Sequence, residues 1–359
     1  MSGLRESGCS HKNGRDMSST PEADNGVRRF EPLWGTWRIE AFLGEGSYGR
    51  VWKISRTEGG RTEERAVKEI RIPSSGGMLG GARAEGMDAD GARFYFQGVL
   101  QSTLEEVRMM RELSDCGQIV RFEDCLVREL DREGEFGWVV FLRIELLQTF
   151  RERMMEETMT VRDVARLGIH ICRALEACAR QGIVHRDIKP DNLFYCAAAD
   201  TYKLGDFGIA HHLARPTAGK GRAGTLSHMC PEVYRGEPFT EGADLYALGI
   251  ILYRLLNDNR IPLLPPYPEP FTPACRDEAL IRRLRGEEPG LPRLADENIC
   301  SGRGIGVRVK ETERSAVEEL GRIAQKAIAA RPEDRFSSAK ALREALEALD
   351  LPDLRRDGP

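Results

Sequence analysis

The first part of the chain alternates between apolar and polar positions, as half-buried β-strands do. This pattern predicts strands over residues 37–40, 51–54 and 65–70, because successive side chains of a strand point to opposite faces. The same alternation predicts two more strands, over residues 119–127 and 138–144. Together the five segments predict one small β-sheet.

A glycine-rich stretch and a helix separate the third predicted strand from the fourth. Residues 74–91 are rich in glycine and form a longer connection than most ordered loops, which predicts a mobile loop or an insertion. Apolar residues at helical spacing then predict a helix from Phe94 to about Leu113.

Helical periodicity dominates after Glu145. Thr160 and Asp163 form a capping-box sequence, which predicts the start of a helix. Apolar residues follow at steps of three and four and define one helix face. Gly182 stands where a glycine commonly ends a helix.

The remainder of the chain continues this helical character. Residues 243–256 are apolar nearly all round, which predicts a helix buried within its lobe. Six prolines within residues 262–273 exclude regular structure there. Residues 315–330 and 338–349 have the amphipathic pattern of two final helices.

A mostly β first part and a mostly α second part predict an α+β fold of two lobes with a cleft between them. We expect one domain over residues 37–349, with an N-terminal lobe at 37–144 and a C-terminal lobe at 148–349. Residues 1–30 carry few large apolar side chains and are predicted to be a disordered tail. Residues 350–359 are predicted to be a short C-terminal tail.

Composition excludes some classes of protein. The chain has 359 residues, 41% of them apolar, and a net charge of −4, so no strong field attracts nucleic acid or a membrane. We find no apolar run that could span a bilayer and no secretory signal. Nine cysteines without metal-ligand spacing predict a reduced, cytoplasmic protein, with Cys172 and Cys178 as small core residues. The sequence leaves the oligomeric state open.

Candidate chemistry begins at a glycine-rich turn. Gly44, Gly46 and Gly49 match the pattern G-x-G-x-x-G-x-V, in which absent side chains let backbone N–H groups approach phosphate oxygens. A dinucleotide-binding fold uses similar glycines but needs a helix after them. Here strand-like segments flank the glycines on both sides. The pattern therefore predicts either a phosphate-covering hairpin or an ordinary glycine-rich one.

The third predicted strand places Ala66 and Lys68 on one face, beneath the glycine hairpin. A lysine that faces a cleft needs anions nearby, because burying an isolated charge is costly. A phosphate group and the carboxylate of Glu106, on the following helix, are the candidate partners. The alternative is that Lys68 and Glu106 are ordinary solvated charges.

Two short motifs in the second half supply the groups that phosphoryl transfer needs. Asp187, Lys189 and Asn192 offer a carboxylate, a cation and an oxygen ligand within six positions. Asp206 follows a strand-like segment and precedes Phe207 and Gly208, so it is well placed to bind a metal ion. Each motif is weak alone, but their order and spacing agree with the upstream glycines and lysine.

With these motifs the chain resembles eukaryotic-type protein kinases of the serine/threonine branch, from about Trp37 to Leu349. The resemblance implies ATP and Mg²⁺, or Mn²⁺ in its place, as cofactors. The catalytic residues that it implies are Asp187, Lys189, Lys68 and Glu106, and the metal ligands are Asn192 and Asp206. The nucleotide-binding residues that it implies are Gly44, Glu45, Gly46, Ser47, Gly49, Val51, Ala66, Lys68, Ile144, Glu145, Leu147 and Phe194.

The resemblance also implies a role for each of these residues. Lys68 would bind the α- and β-phosphates and be braced by Glu106, Asp187 would be the catalytic base, and Lys189 would contact the γ-phosphate. Ile144 would be the gatekeeper, and the backbones of Glu145 and Leu147 would bond the edge of adenine. The faces of adenine would lie between the apolar side chains of Val51, Ala66 and Phe194.

Further matches concern structure rather than chemistry. The resemblance implies an ion pair between Glu232 and Arg335, and it implies that Asp244 holds the catalytic-loop backbone. Thr225, before Cys230-Pro231-Glu232, and Lys189 both resemble the serine/threonine branch.

Three departures from the family pattern stand out. The glycine-rich connection could gate the helix with Glu106 or simply be tolerated, and we favour tolerance. Arg186 is typical of kinases that need a phosphate on the activation segment, yet Thr217 is the only hydroxyl between Asp206 and Gly224. Either Thr217 is the switch or the loop orders without phosphate, which we favour. Arg151 occupies the position that often contacts ribose.

The sequence therefore predicts an ATP-dependent protein serine/threonine kinase that acts on unidentified proteins, and its own chain is one candidate substrate. One alternative is a pseudokinase, a scaffold that binds nucleotide or partners without transfer, although such proteins usually lack an equivalent of Lys68, Asp187 or Asp206. A small-molecule phosphotransferase of the related fold ranks lower, because an activation segment spans residues 206–232.

Overall fold

The computed structural model describes residues 26–46, 49–74, 86–130, 136–207, 226–294 and 307–351. Most of the two predicted tails and residues 75–85 of the glycine-rich stretch lie outside the described residues. So do five residues singled out from the sequence, namely Ser47, Gly208, Thr217, Gly224 and Thr225.

Five antiparallel strands form the sheet of the N-terminal lobe, in the spatial order β1-β2-β3-β5-β4. They are β1 (Arg38–Gly46), β2 (Gly49–Glu58), β3 (Arg61–Ile72), β4 (Phe122–Glu129) and β5 (Trp138–Ile144). All five predicted strands are present. The first three extend further than predicted, because ladder pairing continues past the apolar positions into exposed residues such as those of the β2–β3 hairpin.

Helix α1 (Ala89–Leu113) packs on one face of this sheet. It begins before the predicted start at Phe94, because the carboxylate of Asp88 accepts a hydrogen bond from the backbone N–H of Gly91 at 2.8 Å and caps the helix. The residues that α1 buries are Ala92, Phe96, Thr103, Val107, Met110 and Leu113.

The opposite face of the sheet is covered by the segment that precedes β1. Val27 and Leu33 are fully buried in a cluster with Trp37 and Trp52, and the Arg28 guanidinium donates to the carbonyl of Ile39 at 2.7 Å. The prediction that residues 1–30 form one disordered tail is therefore wrong for residues 26–30. Phe30 and Trp34 pack against the same cluster, so apolar contacts hold this short segment against the sheet.

The C-terminal lobe is mostly helical. Its elements are β6 (Gln148–Thr149), α2 (Phe150–Glu156), β7 (Met159–Thr160), α3 (Val161–Arg180), β8 (Leu193–Cys196), β9 (Thr201–Leu204), α4 (Pro231–Tyr234), α5 (Glu241–Leu255), α6 (Pro273–Leu284), β10 (Val307–Arg308), α7 (Arg314–Ala327) and α8 (Ala339–Glu347). Strands β6, β8 and β9 form a small sheet that lines the cleft between the lobes.

Helices α3 and α5 form the centre of this lobe. The predicted capping box is present at α3, where Thr160 and Asp163 exchange side-chain and backbone hydrogen bonds. Gly182 follows α3 with φ +67°, the left-handed conformation that a glycine adopts easily. Cys172 and Cys178 are buried in the core as predicted.

Helix α5 is buried nearly all round, as predicted. The proline-rich stretch before α6 contains no helix or strand, and α6 begins at Pro273. The final helices α7 and α8 pack against α5 and α3 and end slightly earlier than predicted. In the described part of the chain, no helix has both the length and the apolarity needed to traverse a bilayer.

Candidate active site

A cavity of about 770 Å³ lies between the two lobes. Its roof is the glycine hairpin with β3, and its floor is the loop before β8, β8 itself and Asp206, which follows β9. The predicted site residues that line it are Gly44, Glu45, Gly46, Gly49, Val51, Ala66, Lys68, Ile144, Glu145, Leu147, Lys189, Asn192, Phe194 and Asp206. The folded chain therefore brings both halves of the predicted site to one cavity.

The glycines of the hairpin differ in what they do. A side chain at Gly49, which has φ +149°, would place its Cβ 2.2 Å from the carbonyl oxygen of Glu69, so the fold itself requires this glycine. A Cβ at Gly44 would meet no atom within 4 Å, and one at Gly46 would meet only the Gly49 carbonyl at 3.9 Å. Protein packing does not require these two glycines. They keep the roof of the cavity open to a bound group, as a phosphate cradle must be.

Lys68 lies on β3 and forms an ion pair with Asp206. Lys68 and Asp206 both line the cavity. Ala66 lines it as well, as the alternation along β3 predicts for Ala66 and Lys68. Burial alone would raise the pKa of Asp206, but the charge and hydrogen bond of Lys68 outweigh it and hold that pKa below its ordinary value. Asp206 is therefore ionised at neutral pH, as a ligand of a divalent cation must be.

Glu106 lies on α1, in the electrostatic field of Lys68 and Arg186. Burial raises the pKa of Glu106 to about 7, and the positive charges of Arg186 and Lys68 lower it only in part. The predicted brace of Lys68 is thus close enough to Lys68 to interact with it electrostatically. Lys68 is also hydrogen-bonded to Asp206, so both carboxylates act on the same ammonium group.

Asp187, Lys189 and Asn192 form one hydrogen-bonded group. The Asp187 Oδ2 atom accepts from Lys189 Nζ at 2.6 Å and from Asn192 Nδ2 at 3.0 Å. Asn192 Nδ2 also donates to the Asp187 carbonyl at 2.6 Å. In the described residues neither Asp187 Oδ1 nor Asn192 Oδ1 accepts a hydrogen bond. These two oxygens are available to an acceptor hydroxyl and to a metal ion.

The backbone of this loop is held from below by α5. Asp244 accepts hydrogen bonds from the backbone N–H groups of His185 at 2.7 Å and Arg186 at 2.8 Å, as the resemblance implies. Arg186 and Asp206 both adopt positive φ angles, 68° and 57°, which are uncommon outside glycine and recur at functional sites.

Phe207 connects the floor of the cavity to both lobes. Its ring lies 4.9 Å from the ring of His185, centroid to centroid. It also packs against the apolar cores of both lobes. Asp206 is consequently positioned by a side chain that is anchored on either side of the cleft.

The inner end of the cavity carries the predicted adenine contacts. Ile144, Glu145 and Leu147 all line it. The Glu145 carboxylate accepts from the Arg121 backbone and from Lys203 Nζ, each at 2.7 Å, which fixes the connector. Among the described residues, the Glu145 carbonyl and the Leu147 N–H form no backbone hydrogen bond. Both remain free to bond the edge of a planar base.

The structure also adds residues that the sequence did not point to. Met110, Val120 and Leu142 line the same cavity, but an apolar lining residue has the same pattern as a core residue. Arg254 and Arg276 line its outer end. Arg254 could have been noticed as a charged residue inside an otherwise apolar helix.

The predicted pair of Glu232 and Arg335 is present and bidentate. The Nη1–Oε1 distance is 2.6 Å and the Nη2–Oε2 distance is 2.8 Å, with both side chains almost fully buried. The pair joins α4 to the segment between α7 and α8. It supports the floor of the site without touching the cavity.

No cluster of three or more His, Cys, Asp or Glu side chains in the described ranges could hold a metal ion by itself. Asp206 and Asn192 would supply only two oxygen ligands. Mg²⁺ characteristically takes one or two protein ligands and completes its shell with water and phosphate oxygens. The donor set therefore fits a magnesium–nucleotide complex better than an isolated ion.

A five-stranded lobe, a helical lobe and this cavity between them define the protein kinase-like fold. Residues 37–346 match the family described as "Protein kinase domain", and the chain belongs to that family.

Similar proteins include kinases of animals and a serine/threonine-protein kinase of a bacterium. The chain is 33% identical to calcium/calmodulin-dependent protein kinase type II of Caenorhabditis elegans over 158 residues, 44% of this chain and 21% of that protein. It is 28% identical to cyclin-dependent kinase 4 of Ovis aries over 227 residues, 62% of this chain and 66% of that protein. It is 34% identical to serine/threonine-protein kinase Pkn1 of Myxococcus xanthus over 184 residues, which are 49% of this chain and 22% of that protein. The chain thus spans less than a third of the first and last of these relatives.

Proposed function

We propose that this protein transfers the γ-phosphate of Mg-ATP to serine and threonine hydroxyls of proteins, its own included. One observation carries the proposal. The ion pair of Lys68 with Asp206 lies in a cavity roofed by glycines, and the same cavity is lined by Lys189 and Asn192, which hydrogen-bond to Asp187. Related proteins of the family, described as serine/threonine kinases, support the same activity.

Bound Mg-ATP would supply the phosphoryl group and the charge that draws its oxygens into the site. Asn192 and Asp206 would hold the metal, and Lys68 would hold phosphate oxygens. Asp187 would orient the acceptor hydroxyl and take its proton, while Lys189 would offset the charge on the transferring group. These roles require positioning and electrostatics more than covalent chemistry.

The adenine end of the cavity would exclude water from the base. Val51 and Ala66 on the roof and Phe194 on the floor would contact its two faces, beside Ile144. Glu45 and Gly49 would complete the phosphate roof. Arg151 would not serve the ribose in its observed arrangement, because its guanidinium is bonded to Asp191 at 2.7 and 3.2 Å.

The pseudokinase alternative has no observation in its favour. Lys68, Asp187 and Asp206 are all present, and all three are hydrogen-bonded in or beside the cavity. The proposal includes location in the cytoplasm, which the cysteine usage supports.

The test is a transfer assay with γ-labelled ATP, Mg²⁺ or Mn²⁺ and dephosphorylated casein, followed by mass-spectrometric mapping of the sites. We expect labelled serine and threonine and a turnover of about 1 to 100 per second for the fully active enzyme. Asp206→Asn should lower transfer by at least about a hundredfold, because it removes a metal-bound charge.

Asp115→Asn is the matched control, since Asp115 is an exposed aspartate in the turn after α1. It should transfer phosphate at the wild-type rate, and both variants should keep the wild-type far-ultraviolet circular-dichroism spectrum, which shows that they fold. Nucleotide binding without transfer in the wild type would favour the scaffold alternative. Full activity of Asp206→Asn would show that the metal site is misplaced.

A further inference from the structure

Three arginines from different helices meet at the outer end of the cavity. Arg151 on α2, Arg254 on α5 and Arg276 on α6 all line it, and the charges of Arg151 and Arg276 act on Arg254. None of the three is needed for the phosphate and metal roles assigned above. Their convergence therefore calls for a separate explanation.

The cluster carries an excess of positive charge. Arg151 forms a bidentate ion pair with Asp191. Arg254 and Arg276 form no ion pair with any carboxylate in the part of the chain that the structure describes. Three guanidinium groups and one carboxylate leave two positive charges at this end of the cavity.

Arg254 is held in place rather than free to move into solvent. Its Nη2 atom donates to Asn259 Oδ1 at 2.9 Å. Asn259 and its neighbour Asp258 have φ angles of 58° and 49°, a left-handed turn that Asn and Asp adopt more readily than most residues. The turn after α5 thus fixes a half-buried guanidinium at the wall of the cavity.

The electrostatics of Arg254 agree with this geometry. Burial, and after it the charges of Arg276 and Arg151, lower the pKa of Arg254 to about 10, although the charge of Asp191 opposes them. A guanidinium keeps its proton at neutral pH, so the unfavourable environment persists. An added anion would relieve it.

The cluster is tied to the loop that carries Asp187, because Arg151 pairs with Asp191 of that loop. Asp191 comes four positions after Asp187, the proposed base, and a small neighbouring cavity that contains Asp187 shares Lys189 and His228 with the large one. An extended peptide advances about 3.3 Å per residue. A side chain a few residues from the acceptor can therefore reach the arginines while the acceptor is at Asp187.

We propose that Arg254 and Arg276, together with Arg151, select protein substrates that carry an anionic side chain close to the phosphorylated residue. The shared chemistry is a carboxylate or a phosphate, from aspartate, glutamate or a previously phosphorylated residue. Guanidinium groups bind both in bidentate fashion. The inference rests on the proposed kinase activity and adds a class of substrate to it.

The test uses a set of synthetic serine peptides that differ at one flanking position at a time. Each position carries alanine, aspartate, phosphoserine or lysine. We expect the wild type to prefer the anionic peptide over the alanine peptide by roughly tenfold to a hundredfold in kcat/KM at one or more positions, as charge-assisted hydrogen bonds provide. A phosphoserine preference well above that for aspartate would identify prior phosphorylation as the source of the anion.

Two variants assign the preference to the arginines. Arg254→Gln should bring the ratio of the anionic to the alanine peptide close to one. Arg276→Glu should reverse it in favour of the lysine peptide, which a purely structural role of Arg276 would not do. Arg285→Glu is the matched control, because Arg285 is exposed at the end of the same helix and lies outside the cavity lining. It should keep the wild-type ratio.

Fluorescence anisotropy with a labelled anionic peptide, measured without ATP, separates this inference from the proposed function. Binding that weakens in Arg276→Glu but not in Arg285→Glu, in a protein that transfers no phosphate, would support the anionic site and refute the kinase activity. Phosphate transfer with no anionic preference at any position would leave the kinase activity standing and overturn this inference. Equal effects of Arg276→Glu and Arg285→Glu would overturn it as well.

Discussion

Two carboxylates in the field of Lys68 differ in protonation at neutral pH. Asp206 has a lowered pKa because the hydrogen bond and charge of Lys68 outweigh its burial. Glu106 has a pKa raised to about 7 because burial dominates over the charges of Arg186 and Lys68. At the scale of single residues, the cleft therefore holds one permanently charged carboxylate and one that titrates near neutrality.

This difference predicts a pH dependence of activity. A carboxyl group with a raised pKa is neutral below about 7 and charged above it, so Glu106 can attract Lys68 only at the higher pH. We expect kcat/KM for ATP to fall as pH drops through 7, approaching roughly tenfold per pH unit at the acid end. The measurement is a rate profile from about pH 5.5 to 8.5 at fixed ionic strength.

Glu106→Gln is the control for this profile, since it keeps the shape of the side chain and removes the titrating group. It should be less active throughout and should lack the step near pH 7 that the wild type shows. An unchanged step in Glu106→Gln would assign it to another group, including the nucleotide itself.

The placement of residues that belong to short motifs could be predicted. Lys68, Asp187, Asn192 and Asp206 all lie at or beside the cavity, because short motifs encode their local geometry. The direct pairing of Lys68 with Asp206 could not be predicted, because it joins positions 138 apart through the packing of two lobes. The arginine cluster was missed for the same reason.

At the scale of elements, helix starts were easier to predict than close contacts between helices. The box of Thr160 and Asp163 fixes the start of α3 through local hydrogen bonds. The approach of α5 to α7 depends instead on Gly249. A Cβ there would lie 2.7 Å from the Cβ of Ala327 and 2.8 Å from Cγ2 of Ile328. The residues near Gly249 in the sequence do not predict this contact with Ala327 and Ile328.

We expect Gly249→Ala to lower the free energy of unfolding by about 1 to 2 kcal/mol. Overpacking costs roughly 1 to 3 kcal/mol, and the gain in helix propensity offsets up to about 1 kcal/mol of it. The Cβ of Ala327 cannot move without its backbone, so relief requires the helices to separate. Urea unfolding followed by circular dichroism measures the change.

Gly168→Ala on α3 is the comparison. Its Cβ would lie 2.6 Å from Cδ1 of Leu346, the end of a flexible side chain that can rotate away. We expect its unfolding free energy to stay within about 1 kcal/mol of the wild type. A larger loss for Gly168→Ala than for Gly249→Ala would contradict the packing argument.

At the scale of the molecule, the change of periodicity near Glu145 correctly predicts two lobes. It does not predict how contacts between distant segments hold them. Val27 is buried against the sheet although residues 1–30 are predicted to be a disordered tail. Phe207 packs against both cores. Such contacts depend on tertiary proximity, which a single sequence does not encode visibly.

The ion pair of Glu232 and Arg335 is the long-range contact with the clearest energetic consequence. Burial alone would raise the pKa of Glu232, but hydrogen bonds and charge from Arg335 hold it below its ordinary value. A carboxyl group whose pKa is lower in the folded than in the unfolded protein stabilises the fold at pH values above its unfolded pKa of about 4.5. This stabilisation is lost as the pH falls below that unfolded pKa. The wild type should therefore lose stability in acid more steeply than Glu232→Gln.

Removing one partner should cost more than removing both. Glu232→Gln leaves the buried guanidinium of Arg335 without its counter-charge, and we expect a loss of about 3 to 5 kcal/mol in unfolding free energy. Arg335→Met should cost a similar amount, and the double variant should cost clearly less than the sum of the two, because no lone charge remains buried. Asp334→Asn breaks the exposed pair with Arg331 and should leave the unfolding midpoint unchanged. Strictly additive losses in the double variant would mean that Glu232 and Arg335 act on stability independently, despite their 2.6 Å contact.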